Sequence, residues 1–186
     1  MMRVITGDAR GRKLKSVEGL DTRPTTERTK QSVFNAIQFD IEGRRVLDLF
    51  AGTGQLGIEA LSRGAKDAVF VDSSTAAIAV IRDNVKTVRY EDRSEIVQGD
   101  ALNVLARFPE NRFGLIFLDP PYEAGLLAGA LERIMKRGLL REGGLVVCET
   151  LREEALPAPE NGFRVLREYI YGKSKITLIT RGNPTL

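Results

Sequence analysis

The sequence predicts an α/β fold, a doubly wound and mostly parallel sheet of seven strands that ends in an antiparallel hairpin. Three observations carry this expectation. Short strand-like apolar runs alternate with segments of helical period along most of the chain. Runs such as "FGLIFL" and "GLVVCE" are apolar at odd and even positions alike, which suits strands covered by helices on both faces. Only Gly172 and Lys173 separate the last two strand-like runs, too few residues for a crossover helix, so that pair should be antiparallel.

The elements follow in order. "RPTTERTKQSVFNAI" offers Thr25 or Thr26 as an N-cap, Glu27 in the first turn, and Val33, Phe34, Ile37 and Ile41 at helical spacing. "RRVLDLF" is a buried strand, "GQLGIEALSRG" a helix stopped by Gly64, and "DAVFV" a second strand ending at Asp72. Ser73 or Ser74 caps a helix with Ile78, Ile81, Val85 and Val88 on one face, followed by the short strand "SEIVQ" and the helical piece "ALNVLARF". "FGLIFL", the helix "LLAGALERIMKR" and "GLVVCE" continue the alternation, and "FRVLREYIY" with "SKITLIT" closes it.

With 186 residues, 42% of them hydrophobic, the chain can fill one sizeable core. No apolar run approaches the roughly 18 residues of a membrane span, and "MMRVITGDARGRK" lacks the apolar centre of a signal peptide, so a cytoplasmic protein with no membrane partner is expected. The one cysteine, Cys148, lies in an apolar run and reads as a buried thiol. The absence of histidine excludes histidine-dependent triads and most zinc sites, and no metal is expected. Residues 1–30 hold eight Lys and Arg (Arg3, Arg10, Arg12, Lys13, Lys15, Arg23, Arg28, Lys30) against Asp8, Glu18, Asp21 and Glu27, a net of +4, whereas the remainder nets −1. The expected organisation is a basic arm and helix over residues 1–42 that meets an anionic partner, with nucleic acid the commonest one, and a main domain over 43–186.

"DLFAGTGQLG" places Gly52, Gly54 and Gly57 in GxGxxG spacing between a strand and a helix, where backbone can approach a ligand and positive φ is available. Asp72 follows 20 residues after Gly52 at the end of the second strand, where a carboxylate can bind ribose hydroxyls. NAD and S-adenosylmethionine both suit that pattern. The edge also carries Asp48, Asp100 and Asp119, and a sulfonium with an amino group tolerates such carboxylates where a pyrophosphate is repelled. S-adenosylmethionine is therefore the expected cofactor.

"DPPY" leaves the fourth strand as an acid, two prolines and an aromatic ring. The exocyclic amine of a nucleobase is a weak nucleophile because its lone pair is delocalised. Asp119 and the carbonyl of Pro120 can each accept one of its N–H bonds and so aim the lone pair at a methyl donor. Pro120 and Pro121 fix φ and hold the acceptors still, and Tyr122 can stack on an extruded base.

With these motifs assembled, the chain resembles the class I S-adenosylmethionine-dependent methyltransferases, with their Rossmann-like fold. More narrowly it is similar to the bacterial RsmD-type enzymes that methylate N2 of a guanine in 16S ribosomal RNA. "GDARGRKL", "RPTTERTKQSVFN", "DLFAGTGQLGIEALSRGA" and "DPPY" carry the resemblance. It implies that the loop from Asp48 through Phe50, Gly52 and Thr53 to Gly54 holds the methionine part of the cofactor, Asp72 the ribose, Asp100 and Ala101 the adenine side, and Asp119 to Tyr122 the target guanine. It also implies that "RPTTER" closes over the cofactor and that 16S ribosomal RNA, naked or in the small subunit, is the partner. Arg10, Arg12, Lys13, Lys15, Arg23 and Arg28 are the candidate RNA contacts. Lys173 in the last turn is either a further one or a solvated lysine. Glu149, at the end of the fifth strand-like run, also falls on the family pattern, with positioning of the base its candidate role. The clamp alone does not separate guanine N2 from adenine N6, and the rivals of another kind are an RNA-binding module without catalysis and a nicotinamide dehydrogenase.

Overall fold

The computed structural model describes residues 2–17, 27–121 and 125–182. Strands β1 (Arg45–Leu49), β2 (Asp67–Asp72), β3 (Ser94–Gln98), β4 (Phe113–Leu118), β5 (Leu140–Leu151), β6 (Phe163–Tyr171) and β7 (Ser174–Arg181) form one sheet in the order β3-β2-β1-β4-β5-β7-β6. The first five run parallel, and β7 is antiparallel to both β5 and β6. This is the seven-stranded doubly wound sheet with a terminal hairpin that the sequence predicts, with β7 inserted between β5 and β6.

Helices α1 (Glu27–Ala36), α2 (Gln55–Ser62) and α3 (Thr75–Val88) contribute to a core on one face of the sheet, and α4 (Ala101–Leu105) and α5 (Leu126–Lys136) to a core on the other. The alternation of side chains along β1 divides it between them, Val46 facing the first core and Leu47 and Leu49 the second. The Ser74 hydroxyl caps α3 by accepting from the Ala77 N–H, and Ile78, Ile81, Val85 and Val88 form its buried stripe as expected. Three boundaries differ. α1 ends at Ala36, before Ile37 and Ile41, which are nonetheless buried; α4 stops at Leu105, short of Phe108; and β5 starts four residues before "GLVVCE". The proposed caps Thr25 and Thr26 lie outside the described residues.

The N-terminal segment is packed on the body. Arg3 and Lys13 form an antiparallel bridge, and Val4, Ala9 and Leu14 join the same core as α1, α2 and α3. Its anchor is Glu59, a fully buried carboxylate on α2. Glu59 accepts from the N–H groups of Ile5 at 2.8 Å and Thr6 at 3.0 Å and from Arg63 Nε at 2.9 Å, with Lys30 Nζ 3.8 Å away. Lys30, counted by sequence with the charges of the basic arm, is 1% exposed and donates to the Arg3 carbonyl at 2.9 Å. A charge is tolerated in this core because donors surround it. Among the described residues no helix is long and apolar enough to cross a membrane.

Removing that anchor leaves Lys30 and Arg63 without their buried counter-charge. Glu59→Ala should cost about 3 to 5 kcal/mol in denaturant unfolding and speed amide exchange at Ile5 and Thr6. Unchanged exchange there would show that Glu59 does not hold the segment.

Candidate active site

The strand order changes direction between β1 and β4, and ligands of open α/β sheets bind beyond the carboxyl ends of the strands at such a point. The registers align the elements that matter. Leu49 pairs with Val71 and with Leu118, and Leu118 with Cys148. The next residues outward are therefore Asp72 on β2, Phe50 just past β1, Asp119 just past β4 and Glu149 on β5.

The glycine loop leaves β1 at Phe50 and enters α2 at Gly54. Phe50, Gly52 and Gly54 all have positive φ, at 67°, 56° and 76°. For Phe50, the one side chain among them, this is a strained conformation that nothing in the sequence pattern marks. A Cβ on Gly52 would meet nothing within 4 Å, so its backbone faces open space. Gly57 serves differently: its φ is ordinary, but a Cβ there would lie 2.4 Å from the Phe70 ring, so glycine lets α2 approach β2.

Three of the four predicted acids brace backbone. Asp48 is 2% exposed and accepts from the Gly57 N–H at 2.9 Å. Asp72 is half-buried and accepts from the N–H of Gly52 at 2.8 Å and of Ser74 at 2.9 Å, one with each oxygen. Asp100 is exposed and caps α4 through the Asn103 N–H at 3.0 Å, with Ala101 buried behind it. Each oxygen of Asp72 and the second oxygen of Asp100 retain acceptor capacity toward solvent. Thr53 is buried, and its carbonyl accepts from Asn84 Nδ2 at 2.9 Å, which also donates to the Lys15 carbonyl at 3.0 Å.

Asp119 and Pro120 are half-buried and Pro121 is exposed. Tyr122 lies outside the described residues. Asp119 and Glu149 line one cleft with Lys30, Val33, Phe117 and Val147 among its walls. Burial, then the neighbouring Glu149 and Asp48, holds the Asp119 carboxyl well above the ordinary carboxylate range. Burial likewise pushes Asp48 from 3.8 to about 7, against the opposing pull of the Gly57 N–H. Open backbone at a helix N-terminus, with the Asp72 carboxylate on one side and the acids Asp119 and Glu149 on the other, suits a ligand carrying positive charge and hydroxyls, as S-adenosylmethionine does.

Of the candidate RNA contacts, Arg10, Arg12, Lys13 and Lys173 are exposed. Lys15 is exposed too, but its Nζ is paired with Asp83 at 2.6 Å. Arg23 and the Arg28 side chain lie outside the described residues. Sequence reasoning missed Lys30, Glu59 and Asn84, whose identities signal nothing until the N-terminal segment is seen to dock on them.

The sheet order, the glycine loop and the acid at the end of β4 define a class I methyltransferase. The model of the family described as "Conserved hypothetical protein 95" matches residues 2–180. The chain is 42% identical to YlbH of Bacillus subtilis, over 95% of this chain and 97% of that one. It is 32% identical to ribosomal RNA small subunit methyltransferase D of Escherichia coli strain K12, over 97% of this chain and 90% of the other. The solved structure of yhhF from Escherichia coli superposes with a TM-score of 0.88 at 30% identity, covering 97% of this chain and 98% of that one. The chain belongs to this family, that of RsmD and YlbH.

A carboxyl titrating near 7 when folded and near 3.8 when unfolded stabilises the fold least at high pH. Its contribution is fully present below about pH 4 and is lost as the pH rises through about 7, with a ceiling of about 4 kcal/mol. Asp48→Asn keeps an acceptor for Gly57 and removes the titration. In cofactor-free protein, denaturant unfolding at pH 5 and pH 8 should show a smaller loss for the variant than for the parent. Equal losses would place the decline elsewhere.

Proposed function

We propose that this protein transfers a methyl group from S-adenosylmethionine to the exocyclic N2 of a guanine in 16S ribosomal RNA. The observation that carries the reading is the register that sets Asp119 and the glycine loop at the same level on adjacent strands. The likeness to proteins named ribosomal RNA small subunit methyltransferase D supports the choice of RNA and of the small subunit.

The residues fit the cofactor. The backbone from Phe50 to Gly54 would hold its methionine part, Asp72 the ribose hydroxyls, and Asp100 and Ala101 the adenine. When bound, S-adenosylmethionine supplies an electrophilic methyl group on a sulfonium that departs as a neutral thioether. Everything else falls to the chain. The Asp119 carboxylate and the Pro120 carbonyl each accept one N–H of the amine, leaving its lone pair aimed along the line of attack. Such positioning can account for on the order of 7 to 11 kcal/mol of the barrier. As the new C–N bond forms, positive charge grows on the nitrogen beside Asp119. The proton that the amine then loses passes to Asp119 or to water. A carboxyl held above the usual range is suited to take it. Tyr122 is proposed to stack on the base.

RNA would be held by the basic N-terminal surface, with Arg10, Arg12 and Lys13 exposed on a docked segment, together with Arg23, Arg28 and, in the last turn, Lys173. Lys15 contributes only by giving up Asp83.

Two experiments test this. With radiolabelled S-adenosylmethionine and unmodified small-subunit particles, Asp119→Ala should lower the transfer rate by about 10² to 10³ while retaining calorimetric binding of the cofactor. Full activity in the variant would remove Asp119 from the chemistry. Neutralising Arg10, Arg12 and Lys13 together should weaken RNA binding and reduce the slope of log K against log salt by about 0.7 to 0.9 for each phosphate no longer neutralised. An unchanged slope would take this surface out of RNA recognition.

A further inference from the structure

Glu149 has no part in the methyl transfer described above, yet it stands at the site. Leu118 of β4 pairs with Cys148 of β5, so Asp119 and Glu149 are the next residues out on neighbouring parallel strands, facing the same side of the sheet. Both line one cleft whose other walls are largely apolar, with Lys30 the cation among them. The influence of Glu149 on the Asp119 carboxyl shows that the two share a local field. A carboxylate has about four acceptor sites, so Glu149 can keep its contacts within the fold and still accept from a ligand.

The amine clamp leaves a question of selectivity. Asp119 and the Pro120 carbonyl are both acceptors aimed at an amine, and adenine, cytosine and guanine all carry one. Guanine alone presents, beside its exocyclic amine, a ring N–H on the same edge; adenine and cytosine present a lone pair there. A second carboxylate next to the clamp would meet a donor in guanine and a lone pair in the others. Sites built to hydrogen-bond a substrate N–H reject analogues that lack it far more strongly than apolar pockets reject a change of shape.

We infer that Glu149 is the residue that specifies guanine, its carboxylate accepting the base N1–H while Asp119 holds the adjacent N2 amine. This rests on the guanine-N2 reading and names the source of its base selectivity. Glu149 is thus a second acceptor of the site, carried into the cleft by β5 beside Val147.

The test uses the full chain and a small-subunit RNA substrate assembled with its proteins, carrying either guanine or 2-aminopurine at the methylated position. 2-Aminopurine keeps the N2 amine and turns N1 from a donor into an acceptor. The parent protein should favour guanine by at least about 100-fold in kcat/KM. Glu149→Gln, whose amide N–H can donate to the N1 lone pair, should shrink that preference to less than about tenfold, and Glu149→Asp, which keeps the carboxylate, should retain most of it. Equal rates of the parent on both bases would overturn the assignment without any variant being needed. So would an unchanged preference in Glu149→Gln, or losses in that variant equal for the two bases, which mark a purely structural role. Methylation of guanine without discrimination defeats Glu149 alone, whereas no transfer to guanine by the parent defeats the guanine-N2 reading and this inference with it.

Discussion

The bond from the Gly57 N–H to the Asp48 carboxyl is the tie on which the cofactor end is built. It fastens the first turn of α2 back to β1, so the residues between must leave the strand and enter the helix in a very short span. Positive φ at Phe50, Gly52 and Gly54 is the consequence, and Asp72 holds the middle of the loop through the Gly52 N–H. The arrangement costs the burial of a carboxyl that would be ionised in water, as its raised titration shows. A loop secured at both ends and in the middle presents its backbone in one conformation, which is what positioning a reactive group requires.

The same rigidity extends to the N-terminal segment. Asn84 on α3 donates to the Lys15 carbonyl and to the Thr53 carbonyl and accepts from the Lys15 N–H, so one side chain joins the basic segment to the glycine loop. The Thr53 hydroxyl adds a weak hydrogen bond to Met2 Sδ at 3.5 Å, and the Tyr90 hydroxyl donates to Asp8. A basic surface built this way is already ordered, so less ordering is left to be done on binding a partner than a solvated tail would need.

Much of the fold was legible because its signals are local. Strand runs such as "SEIVQ" and "FGLIFL" match β3 and β4 residue for residue, and the Ser74 cap and the stripe on α3 follow from spacing alone. The insertion of β7 between β5 and β6 was not, since a short turn establishes that two strands are antiparallel and says nothing of which one meets the rest of the sheet. The burial of Lys30 was not legible, because composition counts charge and cannot see burial; only the approach of Arg3 and Glu59 shows where its ammonium lies. The acids were found by position along the sheet edge, yet the sequence could not tell that Asp48 faces inward to Gly57 or that Asp100 caps α4. A carboxylate at a strand end can brace a loop, hold a ligand, or do both. Glu149 stood out in the sequence only on the family pattern, and its nearness to Asp119 emerges only from the β4 and β5 register.

Methylation of a base amine at the end of β4 would leave its signature in the product. Small-subunit particles lacking ribosomal RNA methylation would be incubated with the purified protein and isotopically labelled S-adenosylmethionine, and the RNA digested for nucleoside mass spectrometry. Label in N2-methylguanosine and in no other nucleoside is the expected result. Label in N6-methyladenosine, or none in any nucleoside, would contradict it.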